Sequence, residues 1–187
     1  MAGDSGSPGS LLGFLVVEPT ITGDGFISGA MVTDDRGHPL EFKATTPVRP
    51  SLVQKTLYGA TLSRYVGVEL CGKGLVHRLS RAPMVVLVPD HDLLDIACDD
   101  TLPVVAIRRA GEKLKVTEAD VKASGTINPP QGNFQPIVYE GRFPEPAHQS
   151  DTIRFAEDCA ARFDLIEVFE RIREALKLLQ KEDKRYA

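Results

Sequence analysis

The centre of the sequence contains one short apolar run, Met84-Val85-Val86-Leu87-Val88, with Pro83 before it and Pro89-Asp90 after it. A run of this length between turn-forming residues is typical of a strand that is buried on both faces. Such strands occur in sheets that are covered by helices. A second buried strand is predicted further along the chain, at Val104 to Ile107. The run therefore predicts a domain of α/β character.

The residues before this run predict an antiparallel meander. Leu11 to Val17 and Phe26 to Thr33 are apolar, and the turn formers Gly23-Asp24-Gly25 separate them. Pro39 to Thr45 alternates apolar and polar residues, as in a strand with one exposed face. Apolar residues then recur at helical spacing from Leu52 to Leu79, but glycines interrupt the pattern. We therefore expect two short helices, or one kinked helix, between the meander and the central run.

The last segment predicts a long amphipathic helix. Ser150 and Asp151 are good helix caps, and no Gly or Pro occurs from Thr152 to Glu182. The main apolar residues at helical spacing are Leu165, Phe169, Ile172, Leu176 and Leu179. Such a stripe either completes the core or offers a face to a protein partner or to a second copy.

These patterns together define the expected fold. The class is α/β or α+β, with a mixed sheet of five to six strands that starts as an antiparallel meander. Helices cover at least one face of the sheet, and a long amphipathic helix ends the chain. The expected organisation is a flexible tail at 1–10, a single domain at 11–149 and the C-terminal helix at 150–187.

Composition narrows the class of protein. The chain has 187 residues, of which 42% are hydrophobic and 26% charged, as in ordinary globular domains. A net charge of −4 provides no broad attraction to nucleic acid or to anionic lipid. No apolar run approaches the roughly 18 residues of a membrane span. We expect a soluble cytoplasmic protein with no role at a membrane and with no indication of nucleic-acid binding.

Two pairs of residues suggest metal-dependent chemistry on phosphate esters. Glu41 and Lys43 lie two residues apart on a predicted strand and so share a face, as in the ExK strings of PD-(D/E)xK nucleases. Asp90 and Asp92 follow the buried central strand, where several phosphohydrolases hold Mg²⁺. Each pair also has a simpler interpretation, as an exposed strand face and as an acidic cap before a helix.

Cysteine and histidine spacing indicates neither a disulfide framework nor a metal site. The three cysteines are far apart and form no CxxC pair. The four histidines never fall at ligand spacing from one another or from a cysteine. The sequence therefore assigns no metal site and no cofactor.

The segment from Pro39 to Pro50 ends in Pro47-Val48-Arg49-Pro50 and is followed by Leu57-Tyr58-Gly59. It resembles a group of uncharacterised bacterial proteins with a similar strand, Pro-Val-Arg-Pro turn and helix, over residues 11–107. The resemblance implies a bacterial origin and no established activity. The prolines fix the crossing from strand to helix, and Arg49 is placed to bind carbonyls or carboxylates there. Both a structural role and a ligand site remain open for this turn.

Three hypotheses about function follow. The lack of a convincing catalytic set favours a non-catalytic protein-binding or adaptor protein that associates through its C-terminal helix. The alternative is a divergent metal-dependent phosphohydrolase or nuclease that uses Glu41 and Lys43, or Asp90 and Asp92. The third is a small-molecule sensor, because the predicted sheet matches profilin-like or PAS-like domains in outline. Whether the chain is an enzyme stays open, and the sequence leans against it.

Overall fold

The computed structural model describes residues 10–96, 102–111, 123–130, 133–144 and 146–186. A mixed sheet of seven strands crosses this described part of the chain in the order β3-β2-β1-β4-β5-β7-β6. The strands are β1 (Leu12–Pro19), β2 (Phe26–Thr33), β3 (Pro39–Ala44), β4 (Val85–Val88), β5 (Val104–Arg109), β6 (Ala123–Ile127) and β7 (Ile137–Arg142).

Helices connect and cover the strands. They are α1 (Leu52–Tyr58), α2 (Leu62–Tyr65), α3 (Lys73–His77), α4 (Pro146–Ala160) and α5 (Glu167–Glu182). Short 3₁₀ turns occupy Gly59–Thr61 and His91–Ile96, and a π-helical segment, Val66–Gly72, joins α2 to α3. Helix α1 begins with a capping box between Ser51 and Gln54, and it ends at Gly59, whose φ of 50° favours glycine.

The direction of the strands decides where a site can form. Strands β1, β2 and β3 form the antiparallel meander that the sequence predicts. Strand β4 is parallel to β1, and β5 is parallel to β4. The carboxyl ends of β1, β4 and β5 therefore meet at one edge of the sheet, which is where ligands bind in open sheets of this kind. Strand β7 pairs antiparallel with β5, and this register places Glu140 opposite Ala106 of β5.

Each face of the sheet carries its own core. Along β1, Phe14 faces the layer of α4 and α5, whereas Leu15 faces the layer of the π-helical segment and α3. This alternation follows from the two-residue period of a strand. Phe14 packs edge-on against Phe169 of α5, with ring centroids 5.7 Å apart. Burial of both faces explains why the central strands are almost wholly apolar.

The structure corrects two details of the predicted fold. The sheet has seven strands in the described residues, where the sequence predicted five to six. The long C-terminal helix is two helices, α4 and α5, because the chain turns at residues 161–166. One continuous helix of that length would span roughly 45 Å and leave the sheet, whereas two shorter helices both cover it. The predicted tail at 1–10 lies almost wholly outside the described residues.

No helix among the described residues has both the length and the apolar character that crossing a bilayer requires.

Candidate functional site

A cleft of about 520 Å³ opens at the edge where β1, β4 and β5 end. Its lining includes Val17 from β1, the segment Pro89–Leu93 after β4, and the segment Ala106–Arg108 of β5. Glu140 of β7 and Arg64 of α2 complete its polar walls. The cleft thus lies where the parallel strands of the sheet deliver their carboxyl ends.

An imidazole–carboxylate pair lies in this cleft. Nδ1 of His91 is 2.8 Å from Oε2 of Glu140, and the two side chains are only 14% and 17% exposed. An ionised carboxylate only accepts hydrogen bonds, so Nδ1 carries the proton and donates it to Glu140. In the neutral form of the ring, Nε2 then carries the lone pair. An imidazole oriented by a carboxylate in this way is suited to act as a general base.

Two guanidinium groups, those of Arg64 and Arg108, line the same cleft. Asp95 forms an ion pair with Arg64 and a second one with Arg142 of β7, at 2.5 Å from Nη1. Asp95 therefore ties α2 to the sheet and limits the positions that Arg64 can adopt. A restrained guanidinium is well suited to bind phosphate oxygens, because its donors are planar and fixed.

Asp90 and Asp92, singled out from the sequence, also line the cleft, and both are exposed. The structure thus brings them together with His91 and Glu140. Within the described part of the chain, however, no group of three or more His, Cys, Asp and Glu side chains is arranged to hold a metal ion. Mg²⁺ and Ca²⁺ require several oxygen ligands. The described side chains alone therefore supply no complete ligand set for a divalent cation.

Glu41 and Lys43 lie elsewhere, on the edge strand β3, which β2 and β1 separate from β4. Glu41 accepts hydrogen bonds from the backbone N–H groups of Ser80 and Arg81, and it pairs with Lys43 at 3.0 Å. The Ser80 N–H and the Lys43 ammonium, together with the Arg81 N–H, hold the pKa of Glu41 at about 2. Lys43 also donates to the carbonyl of Arg78. This cluster fastens the chain after α3 to the edge of the sheet.

Arg49 of the Pro-Val-Arg-Pro turn forms an ion pair with Asp24, with Nε 2.7 Å from Oδ2. Hydrogen bonds from Thr22, Thr20 and Arg49 hold the pKa of Asp24 well below its ordinary value. An isolated β-bridge between Phe26 and Val48 ties the same turn to β2. These contacts connect the turn to the β1–β2 connection.

The apolar stripe of the last segment lies in the interior. Leu165, Phe169, Ile172 and Leu176 are buried against the sheet, and Leu179 is partly buried. The stripe therefore completes the core and is not available as an interaction surface. Leu178, which lies outside the stripe, is exposed.

The sequence analysis did not single out four residues of the cleft, namely Arg64, Arg108, His91 and Glu140. It also did not predict that His91 and Glu140 form a pair. Glu140 is 49 residues from His91, and the antiparallel register that sets it opposite Ala106 brings it there. No local pattern contains that information. His91 does carry a signal, because it lies between two aspartates directly after a buried strand.

No model of a protein family matches the sequence, and no curated protein matches it either. Solved structures do match. The chain is similar to Ciona intestinalis endonuclease V in complex with a 24-mer DNA that contains an inosine followed by a ribo-adenosine, with a TM-score of 0.57 and 12% identity over 91% of this chain and 87% of that one. It is also similar to Bacillus subtilis endonuclease V, with a TM-score of 0.54 and 15% identity over 92% and 82% of the two chains. A variant of the Ciona protein with a 23-mer DNA gives a TM-score of 0.53. The chain thus has the fold of these endonucleases.

The comparisons overturn two of the predictions. The adaptor hypothesis is wrong, because the fold is that of endonucleases and because the stripe on which it depended is buried. The expectation of no indication of nucleic-acid binding is wrong as well, since two of the similar structures are complexes with DNA. Net charge averages over the whole surface and does not describe one cleft. The bacterial resemblance is not tested by these comparisons and stays a prediction.

Proposed function

We propose that this protein is a nuclease that hydrolyses a phosphodiester bond of a nucleic acid bound in the cleft at the ends of β1, β4 and β5. The observation that carries the proposal is the His91–Glu140 pair, held in a cleft that two arginines also line. The fold shared with endonuclease V supports the same class of substrate. A nuclease is also the alternative that Asp90 and Asp92 suggest from the sequence.

Arg64 and Arg108 supply the positive charge that a phosphodiester requires. The phosphate carries one negative charge, and more charge accumulates on its oxygens as a nucleophile attacks. Guanidinium groups that are already in place stabilise this charge without reorganising. An ion pair with Asp95 restrains the Arg64 side chain.

His91 supplies the base. Its Nε2 takes a proton from a water molecule whose oxygen forms a new bond to phosphorus, while the bond from phosphorus to the leaving oxygen breaks. The leaving oxygen takes up a proton from solvent, and the imidazolium returns its proton to solvent. Glu140 stabilises the imidazolium and keeps the ring oriented. Each of these steps uses only side chains of this protein and solvent.

The sequence suggests Asp90 and Asp92 as catalytic residues, and that role stays a prediction. Their carboxylates repel a phosphate but accept hydrogen bonds from sugar hydroxyls and from base amino groups. We therefore assign them to positioning the nucleic acid beside His91. This role requires no metal ion between them.

The test is a cleavage assay with end-labelled single-stranded DNA, duplex DNA and RNA, each in EDTA and in Mg²⁺. We expect shortened fragments from at least one of these substrates with the wild-type protein, and about 10²–10⁴-fold slower cleavage with His91→Ala. The matched control is His148→Ala on α4, an exposed histidine outside the cleft lining. The absence of fragments from every substrate contradicts the proposal. So does cleavage that is equally fast with His91→Ala, because it reports a contaminating nuclease.

A further inference from the structure

An exposed aromatic pair lies next to the cleft. Tyr58 ends α1 and Tyr65 ends α2, and their rings lie against each other with centroids 4.6 Å apart and a 30° angle between the planes. Each side chain is 36% exposed. Helices α1 and α2 bury none of their residues, and neither tyrosine is part of either core.

The pair is continuous with the cleft through Arg64. This residue directly precedes Tyr65 and lines the cleft, as does Ser63. Lys55 lies one helical turn before Tyr58. The segment therefore alternates basic and aromatic side chains, which is the arrangement that proteins use to bind single-stranded nucleic acid. Ser63, Arg64 and Gly67, which flank Tyr65 in the chain, line the cleft, so the pair belongs to the segment that forms this wall.

We propose that Tyr58 and Tyr65 form a stacking platform for an unpaired base of the strand whose backbone occupies the cleft. The inference rests on the proposed function and narrows its substrate to strands with an accessible base. A base inside a duplex already stacks on its neighbours and offers no free face. Single strands, loops and frayed ends do offer one, so they bind to both the arginines and the platform.

The chain contains no Trp, and its four tyrosines include both members of the pair, so tyrosine fluorescence is a direct reporter of stacking. The experiment measures this fluorescence and the anisotropy of a labelled single strand with wild type, Tyr58→Leu/Tyr65→Leu and Tyr58→Phe/Tyr65→Phe. It uses two strands of equal length, one with bases and one with abasic sites. Melting curves establish that each variant is folded.

We expect the normal strand to quench the wild-type fluorescence and the double leucine variant to bind this strand about tenfold more weakly. The phenylalanine variant keeps the rings and binds as wild type. The abasic strand binds equally to all three proteins, because only its phosphates contact the cleft. The salt dependence of binding is the same in all three, since tyrosines release no counterions.

Two outcomes overturn the platform while leaving the nuclease in place. One is equal affinity of wild type and the leucine variant for the normal strand, with cleavage intact. The other is an equal loss of affinity for normal and abasic strands, which indicates a structural or protein-binding role of the pair. A wild-type protein that binds and cleaves no nucleic acid instead contradicts the proposed function itself.

Discussion

Nδ1 of His91 lies 2.8 Å from Oε2 of Glu140, although 49 residues and two strand positions separate them. His91 follows β4, and β5 lies between that strand and β7, which carries Glu140. The pair exists because β7 runs antiparallel to β5 and sets Glu140 opposite Ala106, beside the end of β4. The topology, not a local motif, therefore creates the arrangement on which the proposed chemistry depends.

Glu140→Gln tests whether this carboxylate orients and charges the base. The amide keeps the size of the side chain but loses the negative charge that stabilises an imidazolium. We expect the cleavage rate to fall at least about tenfold, while the affinity for the nucleic acid stays close to that of wild type. Single-turnover rates and anisotropy titrations measure the two effects separately. An unchanged rate would show that Glu140 serves only the fold.

Phe169→Ala tests whether the C-terminal stripe is core. Phe169 is fully buried against Phe14, so its removal leaves a cavity and costs about 3–5 kcal/mol of unfolding free energy. Leu178→Ala on the same helix is the control, because Leu178 is exposed and its loss has little effect. Denaturant unfolding measures both variants. Equal, small losses at the two positions would mean that α5 is not packed on the sheet.

Two glycines in adjacent elements, Gly72 and Gly74, should change stability in opposite directions when each is replaced by alanine. A Cβ on Gly72 would lie 2.5 Å from Cδ1 of Ile96 and 2.7 Å from the carbonyl oxygen of Gly67, whereas a Cβ on Gly74 meets nothing within 4 Å. We expect Gly72→Ala to destabilise the protein by about 1–3 kcal/mol. Gly74→Ala should stabilise it by about 0.4–1 kcal/mol, since alanine favours α3. Melting temperatures that move in the same direction for both variants would contradict the packing of the π-helical segment on Ile96.

Glu41 should make stability depend on pH in acid. The Ser80 N–H and the Lys43 ammonium, together with the Arg81 N–H, lower the pKa of Glu41 from 4.5 to about 2 in the folded protein. A lowered pKa means that the stabilising effect is present above about pH 4.5 and is lost as the pH falls towards 2. We expect Glu41→Gln to lower the melting temperature at neutral pH and to approach wild type as the pH falls through this window.

The control for this pH series is Glu157→Gln, which changes an exposed glutamate on α4. Its melting temperature should follow that of wild type throughout. If the melting temperatures of Glu41→Gln and wild type differed by the same amount down to pH 2, the charge of Glu41 would contribute nothing to its contacts with Ser80 and Arg81.

Much of the sheet follows from local sequence. The apolar runs at Leu12, Phe26, Val85 and Val104 begin real strands because burial on both faces demands uninterrupted apolar residues. Strand β6 escaped prediction because it lies at an edge, where Ser124 and Thr126 are exposed and no such demand exists. The chain turn at 161–166 escaped it as well, because no Gly or Pro marks it.

The candidate site is predictable only in part. Asp90 lies at the cleft because carboxyl ends of parallel strands gather ligands, and the apolar run before it indicates such a strand. Glu41 satisfies an equally good local pattern, yet it lies on the edge strand β3, away from the cleft, and accepts hydrogen bonds from the backbone N–H groups of Ser80 and Arg81. Strand order separates these two carboxylates, and a single sequence does not encode strand order in any local spacing.

The role of His91 as the catalytic base is tested most directly by single-turnover cleavage rates. These are measured for wild type, His91→Ala and the control His148→Ala, on whichever strand the wild-type protein cuts. We expect His91→Ala to slow cleavage about 10²–10⁴-fold without loss of binding, while His148→Ala cleaves as wild type. Equal rates for all three proteins, or a wild-type protein that cuts no strand, would contradict it.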